Sequence, residues 1–522
     1  MSWPHIQTIR RRLAREYGPA LPRRAGTLRV ALLYPSPYKI AMSSLGFQTI
    51  LHGFNTLPDT HCERAFLPEN TEKFRRARSP LITYESLNPV ADFDLIAISV
   101  AYELELPGVL DLLDLAGLPV LASERGPGHP LVLAGGPLTF SNPLPLAPFV
   151  DVIIMGEAEI AIGDLVSRLL DGERNKADVL AALSHLPGFY VPSIHRQCTP
   201  GILAAPNECL PARSVIMTPE TVLKDMFLVE AERGCSRGCT FCVMRRSTNG
   251  GMRIVDPPRI FDAIPEQARR VGLVGAAVSD HPKLEEIVRT IVESGRGIGL
   301  SSLRADKMTP ELVGLFARGG YRQLTVAGDG ASERLRTGLE RRIREEHLLR
   351  CARLAADAKM TALKLYMMIG VPGESEEDID ELIGFSRELS TIIPIILGIS
   401  PFVAKRNTPL DGAPFESISV IDARLRRLRA GVGRRVSVRD TSARWAWVEY
   451  RLAQGGFSMG LAAYHAWRRG GRFGDWKRAI REHGGPIDPP WRQGLAPPPD
   501  VLSMPRRDRL RPTRLPSPSL DV

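Results

Sequence analysis

Three of the seven cysteines, Cys235, Cys239 and Cys242, lie close together with the spacing C-x3-C-x2-C. A disulfide framework is typical of short secreted chains with dispersed, even-numbered cysteines, and a structural zinc site needs a fourth cysteine or histidine nearby. No such residue follows closely, whereas three thiolates suit a cubane iron–sulfur cluster, whose irons are usually held by cysteine. With three protein ligands, one iron keeps an open position at which a metal can do chemistry. The spacing therefore predicts a reactive iron–sulfur cluster.

The residues around these cysteines fit a loop that wraps a charged cluster. Gly234 and Gly238 allow the backbone to approach closely. We expect Arg233 and Arg237 to offset the negative charge of thiolate-bound iron. The other four cysteines are irregularly spaced, and we interpret them as packing residues: Cys62, Cys198, Cys209 and Cys351.

With Phe241 before the last cysteine, this loop resembles that of the radical S-adenosylmethionine (SAM) enzymes. The resemblance implies a 4Fe-4S cluster on Cys235, Cys239 and Cys242, with the open iron chelated by the amino and carboxylate groups of SAM. It also implies reductive cleavage of SAM to a 5′-deoxyadenosyl radical, chemistry that the cofactors supply. A reductant such as flavodoxin or ferredoxin is the partner this reaction implies.

Length and composition indicate the framework that positions the loop. The chain has 522 residues, of which 44% are hydrophobic and 24% charged, as in an ordinary globular protein of about three domains. Its net charge of +10 permits an anionic partner without requiring one. No apolar run approaches the roughly 20 residues that cross a bilayer, and residues 1–24 lack the apolar stretch of a signal peptide. We therefore expect a cytoplasmic protein with no membrane partner.

The N-terminal part alternates short apolar strands with helices, which predicts an α/β fold with a parallel, doubly wound, Rossmann-like sheet. The predicted strands are residues 29–34, 94–100, 131–134 and 152–155. Ligands of such sheets bind beyond the carboxyl ends of the strands. The predicted divisions of the whole chain are a helical lead-in (1–27), the Rossmann-like domain (28–191), a linker (192–222), a core (223–412), a helical extension (413–485) and a disordered tail (486–522).

Residues 28–170 resemble the cobalamin-binding domain that precedes the core in one subgroup of radical SAM enzymes. The resemblance is carried by Tyr34-Pro35, the run from Met42 to Gly46, Ala134-Gly-Gly-Pro137, Asn142-Pro143 and the run from Ile154 to Glu159. It implies cobalamin at the strand ends, on Tyr34, Pro35, Ser36, Ser99, Tyr102, Gly135, Gly136, Gly156 and Glu157. The Asp-x-His-x-x-Gly motif that supplies a lower histidine ligand in other cobalamin proteins is absent. A domain that binds no cofactor stays the alternative.

In the core, the alternation predicts six further strands, residues 226–231, 273–278, 299–303, 323–327, 362–369 and 397–402. They fit the partial (β/α)6 barrel of TIM type found in the family, whose site residues gather at the carboxyl ends of the strands. The resemblance implies that Ser279 and Asp280 hold the SAM amino group and that Arg304, assisted by Ser302, meets its carboxylate. It places Gly370, Pro372 and Gly373 at the adenine, with Phe241 among the SAM residues, and lets Asp329 replace a family glutamate.

The C-terminal extension is basic and aromatic. Its arginines, Arg424, Arg426, Arg427, Arg429, Arg434 and Arg435, are interpreted as a solvated face. The aromatic residues, Trp445, Trp447, Tyr450, Tyr464 and Trp467, are expected to pack the extension onto the mouth of the barrel. Stacking on a nucleic acid is the alternative and is not favoured.

The function predicted from these features is that of a radical SAM enzyme working with cobalamin, which transfers a methyl group or rearranges an unknown substrate. A radical SAM methylthiotransferase acting on RNA or protein is one alternative, but it needs further N-terminal cysteines, and Cys62 alone cannot hold a second cluster. A non-catalytic iron–sulfur scaffold is the other. Ser279, Asp280 and Arg304 argue against it, because a scaffold has no need of a SAM pocket.

Overall fold

The N-terminal sheet has six strands in the order β2-β1-β3-β4-β5-β6. The computed structural model describes residues 3–19, 26–170, 175–244, 251–300 and 303–485. Neighbouring strands of this sheet are parallel except β5 and β6. The chain order reverses at β1, which pairs with both β2 and β3, and such a point opens a crevice for ligands. The strands are β1 Leu28–Tyr34, β2 Thr60–Phe66, β3 Leu95–Ser99, β4 Leu131–Gly135, β5 Val152–Ile154 and β6 Phe189–Tyr190.

Both faces of this sheet are buried, because successive strand residues point to opposite sides. Leu32 packs with helices α3 and α6, whereas its neighbour Leu33 packs with α5 on the other face. The helices of this part are α1 Trp3–Leu13, α2 Tyr38–Ala41, α3 Leu45–Thr56, α4 Thr71–Arg76, α5 Leu106–Leu115, α6 Ala161–Leu170, α7 Lys176–Ser184 and α8 Pro192–His195. The doubly covered sheet agrees with the α/β class predicted from the strand pattern.

Two strands of this sheet were not predicted. Strand β2 carries polar residues at buried positions, most notably Arg64, of which 2% is exposed. Its guanidinium binds Glu16 at 2.8 Å and Glu85 at 2.6 Å, so the charge is compensated inside the domain. Strand β6 has only two residues.

The core contains seven parallel strands. Three form the sheet β11-β10-β7 and four form the sheet β12-β13-β14-β15, with a parallel bridge from Leu303 to Val326 between them. The strands are β7 Met226–Glu230, β10 Arg270–Val274, β11 Gly297–Leu300, β12 Gln323–Asp329, β13 Ala362–Ile369, β14 Ile395–Pro401 and β15 Val436–Asp440. The helices are α9 Pro257–Ala263, α10 Leu284–Glu293, α11 Pro310–Arg318, α12 Glu333–Gly338, α13 Glu345–Asp357, α14 Glu376–Ile392 and α15 Ile418–Gly431. An antiparallel pair, β8 Glu232–Gly234 and β9 Met252–Ile254, flanks the cysteine loop.

Two core strands end three or four residues before their predicted ends, and one strand was not predicted. Strand β10 ends at Val274 rather than at residue 278, because Val278–Asp280 forms a 3-10 turn. Strand β11 ends at Leu300 rather than at residue 303. Strand β15 is additional to the six predicted strands.

The C-terminal extension forms α16 Ala443–Gln454, α17 Phe457–Arg468 and α18 Phe473–His483. The prediction that it packs onto the barrel mouth was wrong for most of its length, because α17 and α18 cover the N-terminal sheet. Trp476, 1% exposed, lies in one hydrophobic cluster with Val132, and the indole Nε1 of Trp467 donates to Asp111 Oδ1 at 2.7 Å. Tyr450 of α16 does pack against the core, beside Phe402.

Polar contacts fasten the N-terminal sheet, the core and the extension at one junction. The Asn142 side chain donates to the carbonyls of Leu452, Ala453 and Gly455 at 3.2, 3.0 and 2.7 Å, at the end of α16. Lys405, just past β14, lies 2.6 Å from Glu103 and 2.7 Å from Glu449. Asn142 thus has a structural role within the motif that suggested cobalamin binding.

In the part of the chain that the structure describes, no helix combines the length and the apolar character needed to cross a membrane. Ser302 and the predicted tail, residues 486–522, lie outside the described residues.

Candidate functional site

The three clustered cysteines lie in one loop after β8, and each is partly exposed. Gly234 begins the loop with φ 89°, a conformation that glycine adopts without strain. The backbone N–H of Arg237 donates to Cys235 Sγ at 3.4 Å, a contact that suits a thiolate. Burial raises the pKa of Cys242 to about 11, opposed by a backbone hydrogen bond and increased by the other two cysteines. The three sulfur atoms are therefore near enough to interact.

This donor set fits a cubane cluster better than a single ion. Among the described residues, no group of three or more His, Cys, Asp or Glu side chains is arranged to hold one metal ion. A cubane does not need such convergence, because each cysteine binds a different iron. Three thiolates on one short loop, with no fourth ligand beside them, leave one iron for another molecule.

The two arginines of the loop are engaged by carboxylates rather than by the cysteines. Arg233 lies 2.6 Å from Glu230, 2.6 Å from Glu159 and 3.0 Å from Glu157. Arg237 donates to both oxygens of Asp280, at 2.8 and 2.6 Å. Their charges are thus paired with carboxylates, although Arg237 also interacts electrostatically with Cys235, so the expectation that they offset the cluster charge stays a prediction.

A further cation at the cysteines is Arg341, which was not predicted from the sequence. Its guanidinium interacts with Cys239 and lies 2.6 Å from Asp329 Oδ2. Burial raises the pKa of Asp329 and the two arginines Arg341 and Arg304 oppose that rise. Asp329 is therefore brought to the cysteine loop through Arg341. No motif singled out Arg341, because it comes from a turn far away in the sequence.

Arg304 lies at the end of β11 with 4% of its surface exposed. Its backbone N–H donates to Ser279 Oγ at 3.0 Å, which joins the ends of β10 and β11. Its side chain binds Asp306 through Nε at 3.0 Å and Nη2 at 3.1 Å. The buried Nη1 has no hydrogen-bond partner among the described residues. Since buried donors are normally satisfied, this atom fits a missing anionic ligand.

Asp280 lies beside Arg304, and its carboxylate is already bound by Arg237. Although burial opposes it, the hydrogen bonds from Arg237 hold the pKa of Asp280 below its ordinary value. Both carboxylate oxygens accept from Arg237, as given above. Asp280 therefore holds Arg237 of the cysteine loop, and its role as acceptor for an ammonium stays a prediction.

Glu232, the first residue of β8 just before the cysteine loop, was not predicted as a site residue. It is 0% exposed, and its Oε1 accepts from the backbone N–H of Ala277 at 2.6 Å, just after β10. The other oxygen, Oε2, has no partner among the described residues. Burial raises the pKa of Glu232 to about 7, opposed by the Ala277 hydrogen bond and increased by Glu230 and Asp280.

The glycine-rich turn after β13 is held rigidly. Gly370 and Gly373 have φ 76° and 79°, and the Gly370 N–H donates to Glu374 Oε2 at 2.6 Å. Arg424 binds the same carboxylate oxygen at 3.0 Å and the Glu374 carbonyl at 2.9 Å. Arg424 is therefore a buried structural residue, which corrects its assignment to a solvated face.

Phe241 packs against a hydrophobic cluster that includes Val371, which lies between Gly370 and Pro372. The aromatic residue of the cysteine loop and the predicted adenine turn thus share one cluster. The sequence had linked them only through the family resemblance.

A cavity of about 300 Å³ lies between the N-terminal sheet and the start of the cysteine loop. Core residues Glu230, Arg233 and Met244 line one side. Much of the remaining wall is apolar, including Leu32 and Leu133. Six of the residues predicted to bind cobalamin line it: Tyr34, Ser99, Gly135, Gly136, Gly156 and Glu157.

The other three predicted cobalamin residues lie off the cavity wall. The Pro35 carbonyl packs against Gly108 of α5, Ser36 hydrogen-bonds Glu105, and Tyr102 is 47% exposed. Two of the wall glycines are also required by the fold itself. Gly136 has φ 106° and Gly156 has φ 91°, so their presence alone does not indicate a ligand.

Two family models match the chain. The model described as "Radical SAM proteins, N-terminal" matches residues 46–192, and the model of the "Radical SAM superfamily" matches residues 229–386. The second match includes the three cysteines and extends through the glycine-rich turn. The first covers most of the N-terminal sheet.

Two relatives share parts of the sequence. The uncharacterized protein MJ0966 of Methanocaldococcus jannaschii is 26% identical over 404 residues, which cover 74% of this chain and 80% of that protein. The 2-(S-pantetheinyl)-carbapenam-3-carboxylate methyltransferase of Streptantibioticus cattleyicolor is 31% identical over 164 residues, covering 28% of this chain and 22% of that enzyme.

Among solved structures, the radical SAM methyltransferase TsrM of Kitasatospora setae, with cobalamin and a [4Fe-4S] cluster bound, superposes with a TM-score of 0.51. The match covers 74% of each chain at 14% identity, so it shows a shared fold. TsrM has also been solved with tryptophan and a SAM analogue. The cofactors named for TsrM agree with the three predicted from this sequence.

Proposed function

This chain is a radical SAM enzyme, a member of the radical SAM superfamily, and we propose that it uses cobalamin together with SAM to transfer a methyl group. The observation that carries the proposal is the cavity that the cysteine loop shares with the ends of the N-terminal strands. Ligands of doubly wound sheets bind at that edge. A cofactor there would lie beside the cluster-binding loop.

When bound, the cluster supplies the electron that cleaves SAM, and cobalamin supplies a methyl carrier. The chain's own residues bind and orient these groups. Cys235, Cys239 and Cys242 would hold three irons, and the SAM carboxylate would give the unpartnered Nη1 of Arg304 an acceptor. The Ser279 hydroxyl accepts from the Arg304 backbone N–H, and Asp306 holds the guanidinium, so Arg304 is positioned before SAM arrives.

The glycine-rich turn supports the adenine. Gly370 and Gly373 allow the backbone to approach a planar ring, while Glu374 and Arg424 keep the turn from moving. Phe241 packs against the hydrophobic cluster to which the adjoining Val371 belongs. An external reductant of the flavodoxin or ferredoxin type completes the reaction.

The alternatives are less well supported. Cys62 is buried in β2, and burial raises its pKa well above the ordinary value, which suits a packing residue rather than a ligand of a second cluster. A scaffold does not account for the unpartnered, buried Nη1 of Arg304.

The products distinguish these functions. Anaerobically reconstituted, reduced protein is incubated with SAM, with and without cobalamin, and 5′-deoxyadenosine and S-adenosylhomocysteine are measured. We expect 5′-deoxyadenosine in both reactions and S-adenosylhomocysteine only with cobalamin. Formation of 5′-deoxyadenosine alone, in the presence of substrate, would exclude methyl transfer and leave a rearrangement. If neither product forms, the result would contradict the proposal that the protein is a SAM-cleaving enzyme.

Replacing Arg304 by alanine should weaken SAM binding. A lost charged hydrogen bond costs about 1.5–3 kcal/mol, or roughly 10- to 100-fold in Kd. Isothermal titration with SAM measures the change. Arg289→Ala is the control, since Arg289 lies on α10 and pairs with Glu285 and Glu311 at the surface. Unchanged affinity in Arg304→Ala would remove Arg304 from the site.

A further inference from the structure

The proposed site needs an acceptor for the ammonium group of SAM. An ammonium has three donors and needs oxygen acceptors. Asp280 was predicted for this role, but both its oxygens accept from Arg237. Asp306 is likewise paired with Arg304. A carboxylate oxygen that no cation already binds would serve the ammonium better.

Glu232 has an oxygen that meets this need. Its side chain is fully buried, and Oε2 has no partner among the described residues. Leaving a buried carboxylate oxygen unsatisfied is costly, and the nearby carboxylates Glu230 and Asp280 make the cost larger. A cation beside Oε2 would remove that cost.

The backbone around Glu232 is built to hold its carboxylate in place. The N–H of Ala277 fixes Oε1 at 2.6 Å. A side chain at Gly275 would collide with Oε1, so glycine is required there while the carboxylate keeps this position. The orientation of Oε2 is thus determined by contacts on both sides.

Glu232 and Arg304 are both hydrogen-bonded to the segment that follows β10. Ala277 directly precedes the turn Val278–Asp280, and Ser279 of that turn accepts from the Arg304 N–H at 3.0 Å. Each of the two residues also has a buried side-chain atom without a partner among the described residues, Oε2 in Glu232 and Nη1 in Arg304. This pair is complementary to an amino acid zwitterion, whose ammonium and carboxylate have the opposite charges.

We propose that Glu232 binds the ammonium group of SAM and that Asp280 instead anchors the cysteine loop. The inference rests on the proposed function, because it requires SAM at the end of β10. It assigns to a residue of the β8 strand a contact that the sequence had assigned to the residues after the second core strand.

The test compares two ligands on the cluster-loaded protein. S-adenosylhomocysteine carries the amino acid group, and 5′-methylthioadenosine keeps the nucleoside but lacks that group. In Glu232→Gln, the side chain keeps an oxygen for Ala277 but places an NH2 donor where the ammonium requires an acceptor. We expect S-adenosylhomocysteine to bind roughly 10- to 100-fold more weakly, with 5′-methylthioadenosine and the iron content unchanged.

Glu105→Gln is the matched control. Glu105 is also a buried glutamate that accepts a backbone N–H, that of Ala101 at 2.6 Å, but it lies in the N-terminal domain. The Glu105→Gln variant should bind both ligands as the wild type does. An equal loss of both ligands in Glu232→Gln would show a structural role, and no loss would also overturn the inference. If the wild type binds neither ligand, the proposed function fails and the inference with it.

Discussion

Alanine at Cys235, Cys239 and Cys242 together is expected to abolish iron binding. Wild-type protein reconstituted without oxygen should hold about four irons per chain, and the triple variant should hold none. The reason is that these three thiolates are the only protein ligands the loop offers. Iron analysis and the visible absorbance of the cluster measure the difference.

The remaining cysteines provide the control. Cys198 is exposed and irregularly placed, so Cys198→Ala should retain the full iron content. Cys351 lies buried, with its Sγ 3.4 Å from the Ala305 carbonyl, and its replacement should affect stability but not the cluster. If Cys62, Cys198, Cys209 or Cys351 proved equally necessary for iron, the cluster would have a fourth protein ligand and no open iron for SAM.

Replacing Gly46 by tryptophan is expected to remove cobalamin. Gly46 lines the cavity, and a Cβ atom at this position meets no other atom within 4 Å. The backbone of α3 therefore tolerates a side chain, which would fill the space that the cofactor needs. We expect cobalamin retained after desalting to fall about tenfold or more, while iron content and SAM affinity stay unchanged.

Gly384→Trp is the matched control for this variant. Gly384 also lies in a helix, α14, with open space at its Cβ position, but on the exposed surface of the core. It should retain cobalamin as the wild type does. Full retention in Gly46→Trp would place cobalamin outside this cavity, and no retention in the wild type would identify the N-terminal domain as one that binds no cofactor.

The cysteine loop and the α/β class could be predicted from sequence because each depends on local spacing. Strand β13 matches its predicted bounds, since its apolar residues, interrupted only by Lys364, continue up to Gly370. Strand β2 was missed because the charged residues Glu63 and Arg64 interrupt the apolar pattern that is expected of a buried strand. Their partners, among them Glu16 and Glu85, come from elsewhere in the chain, so their burial is invisible in the local sequence.

The finer features of the site depend on contacts between distant segments. Asp280 was assigned to SAM because its position after a core strand suits a ligand-binding residue. In the structure it is bound by Arg237, which lies 43 residues away in the sequence. Arg341 reaches Cys239 from a turn that carries no recognisable motif. Glu232 was overlooked because a glutamate beside a cysteine motif has no distinguishing spacing, and only its unpartnered oxygen draws attention to it.

The packing of the last helices on the N-terminal sheet has a consequence for biosynthesis. Ile96 and Val132 are synthesised before the core, whereas their partners Ala462 and Trp476 are synthesised after it. The part of this apolar face that α5 does not cover must therefore stay exposed while the core is synthesised, a state in which chaperone binding and aggregation compete with folding. A fragment that ends before Ala443 would contain every predicted cofactor residue and still lack the helices that complete its first domain.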